Sequence, residues 1–156
     1  MKPLLIATML TWSVISFAAD SVYVTTELTR NGTTISTVSA PVISGQPLPF
    51  WSISSVPYIE SYEGGKQKVT HLEIGTAGSI TPFIVSDGVV RLEYEVTNTQ
   101  LIKIQKIGAP GKEEDLPHTE NTKFKGVTLI EYGKVSQRTS VDQGAQYVYS
   151  VSASKL

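Results

Sequence analysis

The sequence predicts an all-β protein, a single antiparallel β domain (sheet or sandwich) behind an N-terminal signal peptide, with one long polar loop. Three observations predict it. Beyond residue 20, apolar and polar residues alternate in short runs, with no sustained helical period. Gly, Pro, Asn and Asp interrupt those runs about every ten residues, as turns between strands do. The segment "GSITPFIVSDGVVRLEYEV", residues 78–96, reads as a hairpin, because two runs rich in β-branched residues flank Asp87-Gly88. Its second run alternates strictly: Val90, Leu92, Tyr94 and Val96 share one face, and Arg91, Glu93 and Glu95 the other.

The elements follow in order. Lys2 precedes the apolar run "LLIATMLTWSVISFAA", and Ser16-Phe17-Ala18 places small residues before a cleavage point. That run is short for a membrane-spanning helix, so residues 1–18 read as a cleaved secretory signal and residues 19–156 as the mature domain. "SVYVTTEL" is the first strand, Asn31-Gly32 a turn, and "TTISTVSAPVIS" the second strand. "GQPLPF" is a proline-broken connection, since a central strand does not tolerate Pro47 and Pro49 so close together. "WSISSVPYIESY" resumes extended structure, with Pro57 marking a bulge or an edge, and Gly64-Gly65 punctuates before "KVTHLEI". The hairpin comes next, then "QLIKIQKI", a further strand. Residues 108–126, "GAPGKEEDLPHTENTKFKG", are rich in charge and poor in apolar side chains, and read as a long mobile loop. "GVTLIEYGKVSQ", a turn near Asp142-Gln143-Gly144, and the closing strand "AQYVYSVSAS" complete the chain.

Composition excludes several functions. Thirteen basic side chains face fourteen acidic ones, for a net charge of −1, so there is no basic stripe for nucleic acid. With no cysteine there is no disulfide, and stability rests on the core, on strand pairing or on an oligomer. No catalytic, cofactor or metal site emerges. The two histidines, His71 beside Glu73 and His118 near Glu113, Glu114, Asp115 and Glu120, lack the preorganised ligand frame of a metal centre. "GAPGK" fails the phosphate-loop spacing and puts Glu113 where a hydroxyl residue belongs. Glu93 and Glu95 share a face as glycosidase carboxylates might, but no aromatic platform accompanies them. Asn31-Gly32-Thr33 is formally a glycosylation sequon and reads more simply as a turn. Phe50, Trp51, Tyr58, Tyr62, Tyr147 and Tyr149 are core residues by default, with interface anchors or a membrane girdle as the alternatives.

Three stretches together resemble the β domain of bacterial secretins, the ring-forming outer-membrane channels of type II and type III secretion and type IV pilus systems. They are "STVSAPVISGQPLPFWSISSVPYIES", "VTHLEIGTAGSITPFIVSDGVVRLEYEVTNTQL" and "GKVSQRTSVDQGAQYVYSV". In the second, Gly78, Ile80, Pro82, Ile84, Asp87, Gly88, Val90, Leu92 and Tyr94 fill a pattern similar to the family's strand–turn–strand motif. The likeness covers the β domain only, and the segment between Arg138 and Gly144 is shorter than the family's usual strand. The resemblance implies a non-enzymatic component without cofactors, exported to the periplasm or outer membrane of a Gram-negative bacterium. It also implies partnership with further copies or with other secretion or pilus subunits. A soluble periplasmic or secreted β-sandwich binding module, such as a pilus accessory or adhesin-type subunit, is the alternative.

Overall fold

The computed structural model describes residues 20–156, and the expected signal peptide lies outside them. Eight antiparallel strands form two four-stranded sheets. The strands are β1 (Ser21–Arg30), β2 (Thr33–Ile43), β3 (Leu48–Glu63), β4 (Lys66–Ser86), β5 (Val89–Ile107), β6 (Glu114–Glu131), β7 (Val135–Asp142) and β8 (Ala145–Lys155). The short sheet has the order β2-β1-β8-β7, and the long sheet β3-β4-β5-β6. The long sheet is thus a continuous meander inserted between two hairpins of the short one. The chain crosses between sheets at Ser44–Pro47 and at Tyr132–Lys134. Both crossings are tied down: Gly45 N–H donates to the Pro82 carbonyl, and Gly133 N–H to that of Ala153.

Turn chemistry follows the sequence. Asn31-Gly32, Gly64-Gly65 and Gln143-Gly144 carry positive φ at both positions, the geometry that matches strand twist. Asp87-Gly88 differs, because only Gly88 (φ 85°) is left-handed and a register shift between Ile84 and Ser86 accompanies it. The extra residue there, Val85, is a bulge beside the turn.

The sheets face each other across one core. Val22, Val24, Leu28, Tyr147, Tyr149, Val151 and Ala153 come from the short sheet. Phe50, Ile80, Val90, Leu92, Tyr94, Val96, Phe124 and Ile130 come from the long one. Tyr149 sits at its centre, its ring 5.0 Å from that of Tyr94 and 5.6 Å from that of Phe124. Burial pushes its phenol up to about 12. Two cross-strand pairings need a missing side chain. A Cβ on Gly78 would lie 2.6 Å from the Glu95 carbonyl oxygen and 2.9 Å from Cζ of Phe50, its partner on β3. A Cβ on Gly126 would meet the Tyr94 hydroxyl at 3.0 Å. In both pairs the glycine accommodates a large ring on the neighbouring strand.

Residues 108–126 are not the long mobile loop the composition suggests. Only residues 108–113 connect strands, and β6 pairs with β5 from Glu114 to Glu131, with one register shift between Leu101 and Lys103. A segment poor in apolar residues is held here because its backbone completes a ladder with β5 and because Glu120, Lys123 and Lys125 are paired. Glu120 and Thr122 point into a buried polar layer, while Lys123 and Lys125 pair with Glu95.

Candidate assembly surface

Past the sandwich the long sheet divides. β4 and β5 pair only from Gly75↔Thr99 down to Ser86↔Val89, so beyond that point β3–β4 and β5–β6 run on as two separate arms. Gly75 sits at the fork with φ 125°, and a Cβ there would drive into the Ser52 carbonyl oxygen. The arms do not splay apart, because the Ile59 N–H on β3 donates to Asp115 Oδ2 on β6 at 2.8 Å.

At the root of the arms, a charged cluster joins the two sheets. Arg30 ends β1, Tyr147 lies on β8, and Glu120 on β6 is 1% exposed. Arg30 Nη2 donates to Glu120 Oε2 at 2.8 Å and the Tyr147 hydroxyl donates to the same oxygen at 2.8 Å. Burial and the neighbouring Glu120 raise the Tyr147 phenol above its ordinary value. Below this cluster, Asn98 Nδ2 donates to Thr76 Oγ1 at 2.8 Å, and Gln100 donates to Asn98. The core is therefore apolar at its base and polar where the arms emerge.

The outward face of the long sheet carries the charges of the hairpin. Glu95 bridges Lys123 Nζ at 2.6 Å and Lys125 Nζ at 3.0 Å. Hydrogen bonding and attraction from these ammonium groups hold its carboxyl at about 2. Arg91 pairs with Glu93 at 3.0 Å and stacks its guanidinium 4.4 Å from the Phe83 ring centre. Flanking this charged strip are exposed apolar side chains on both edge strands. Trp51 on β3 is 72% exposed, and Val127 and Leu129 on β6 are 55% and 64% exposed.

The edges themselves are open: among the described residues no strand pairs along the far side of β3 or of β6. Prolines sit where they leave the ladders intact. The Ile59 N–H faces away from β4, and period two gives Pro57 and Pro49 the same orientation, so each lacks a donor on the open edge alone. Pro82 follows the same rule inside β4. It lies past the end of the β3 pairing, and Ile84 N–H, two residues on, turns away from β5 to the Ser44 hydroxyl.

The residues marked in the sequence fall into one patch. Gly78 and Pro82 lie on β4, Asp87 and Gly88 form the turn, and Val90, Leu92 and Tyr94 are the buried face of β5. His71 is on β4 opposite Pro57 in the β3–β4 arm, and His118 is on β6 in the β5–β6 arm, 3.2 Å from Gln105 Oε1. Among the described residues no group of three His, Cys, Asp or Glu side chains converges. Asn31 of the sequon holds the turn, its Oδ1 accepting from Gln146 N–H at 2.8 Å. Gly75, Gly126 and the Arg30–Glu120–Tyr147 cluster went unmarked. The "EIGTAGSI" spacing contained a signal for Gly75, but the pairing of residues 90 apart in sequence left none.

No family model matches the chain, and no curated protein matches it in sequence. Solved structures match it in fold. The secretin domain β-barrel of InvG, from the Salmonella SPI-1 injectisome NC-base, superposes with a TM-score of 0.50 over 88% of this chain at 10% identity. The fold is secretin-like. The near-atomic structure of the Salmonella SPI-1 type III secretion injectisome secretin InvG gives the same TM-score at 12% identity over 87% of the chain. So does the injectisome basal body of InvG, PrgH and PrgK, again at 12% identity and 87% coverage. This chain spans 60%, 63% and 45% of those three chains. The resemblance read from the sequence thus extends to the architecture.

Proposed function

We propose that this chain is a non-enzymatic, secretin-like component of a bacterial secretion or type IV pilus apparatus, exported and associated with the outer membrane. It acts by joining its sheet edges to those of further copies or of other apparatus subunits. The observation that supports this reading is the long sheet, whose edge strands β3 and β6, 16 and 18 residues long, both lie open on a secretin-like fold. Long open edges with exposed apolar side chains are a hazard for a monomer and an asset for a ring. Each partner would satisfy the backbone donors and acceptors that the other leaves free.

The charged strip from Arg91 to Glu95 suits a water-facing wall, and its internal pairing leaves little net charge to bind a specific anion or cation. Mild detergent extraction from the native host followed by size measurement tests the reading. A large, detergent-resistant species is expected. A soluble monomer of 16.9 kDa or slightly less would favour the alternative, a binding module of the envelope. The contact between Ile59 and Asp115 gives that alternative its one specific support, since it closes the arms on each other within a single chain.

A further inference from the structure

We propose that β3 of one copy pairs with β6 of the next in a specific register, with Trp51 opposite Val127 and Ile53 opposite Lys125. This rests on the assembly reading above and adds to it the residues that meet. Two independent lines select the register.

The first is side-chain matching. Outward-facing residues along the β3 edge, from the sandwich base towards the arm, are Pro49, Trp51, Ile53 and Ser55; those along β6 are Leu129, Val127, Lys125 and Lys123. Continuing the rows of the monomer without displacement would set Trp51 against Lys123 and Pro49 against Lys125, because the rows run Trp51–Ala77–Thr97–Lys123 and Pro49–Ser79–Glu95–Lys125. Both lysines are already committed to Glu95, and Val127 and Leu129 would stay bare. Displacement by four residues sets Pro49 against Leu129 and Trp51 against Val127. On the inward face it sets Leu48 against Ile130.

The second line is barrel geometry, which uses none of those side chains. Strands in a closed barrel tilt by about 35–45°, and a shear of one residue per strand corresponds to a tilt of roughly 36°. With four strands per copy, that shear displaces each row by four residues on reaching the next copy. The direction agrees as well. The Ile59 N–H points to the open side of β3, so the odd-numbered residues 49–59 turn their backbone groups to that edge. For an L-chain viewed from outside with the arms uppermost, that edge lies to the right. In a barrel of right-handed tilt, rows descend towards the right. Since β6 runs from the arm to the base, a descending row meets a higher number, 127 and not 119.

Cysteine cross-linking reads the register directly, because the chain has no cysteine of its own. Copies carrying Trp51→Cys are co-expressed with copies carrying Val127→Cys, and oxidised in membranes. A parallel pair, Ile53→Cys with Lys125→Cys, leaves Trp51 in place. Facing residues of a hydrogen-bonded antiparallel pair have Cα atoms about 5.5 Å apart, within disulfide range. The expected result is mixed dimers from 51/127 and 53/125 at least tenfold more abundant than from 51/123 and 53/121. A large assembly that cross-links at 51/123, or at neither set, overturns the register while leaving the secretin-like reading intact. A species that stays monomeric by light scattering after extraction overturns both.

Discussion

Glu95 shows how a residue on an open face becomes committed. Its folded pKa of about 2 lies below the ordinary 4.5, so the stabilisation is complete above pH 4.5 and is lost as pH falls towards 2. Carboxyl NMR titration of Glu95 should give a midpoint well under that of an ordinary glutamate. Removing both Lys123 and Lys125 should return it to the normal range; an unchanged midpoint would mean that the pairs seen here are not populated. Glu120 is the buried counterpart. Glu120→Ala leaves the Tyr147 hydroxyl without its acceptor at 0% residue exposure, which costs about 1–3 kcal/mol in denaturant unfolding. An unaltered midpoint would show that water takes the place of the carboxylate as acceptor. Gly78→Ala should cost about 1–3 kcal/mol, since the added methyl meets main chain at 2.6 Å that has no room to shift.

At the scale of elements, the β4–β5 hairpin was readable from composition because its two faces differ so sharply. Val90, Leu92, Tyr94 and Val96 are buried, and Arg91, Glu93 and Glu95 are partly exposed. Gly88→Val should destabilise by about 1–2 kcal/mol through backbone strain alone, since nothing lies within 4 Å of the added side chain and φ is 85°. β6 was unreadable for the opposite reason. Its stability comes from β5 and from Glu95, Gln100 and Arg30, none of which a window over residues 108–126 contains. Limited trypsin digestion separates the two readings of that segment. Cleavage should be confined to Lys112, in the connection, with Lys123 and Lys125 protected; early cuts at 123 and 125 would restore the loop. Asp115→Ala removes the only side chain seen to cap the Ile59 N–H, and should speed exchange of that amide.

For the molecule as a whole, alternation and turn residues made the all-β class legible, and the Asp87-Gly88 motif pointed to the secretin-like architecture. The division into two sheets, the fork at Gly75 and the clamp at Arg30 depend on contacts far apart in sequence, so no local pattern announced them. What the assembled architecture offers is two long open edges on one sheet, and amide hydrogen exchange reports on edges directly. In material extracted in mild detergent, the amides of Trp51, Ile53 and Ser55 on β3 and of Val127 and Leu129 on β6 should exchange far more slowly than in the chain refolded at low concentration as a monomer. Equal exchange at those positions in both samples would mean that the edges stay unpaired, and that the chain does not assemble through them.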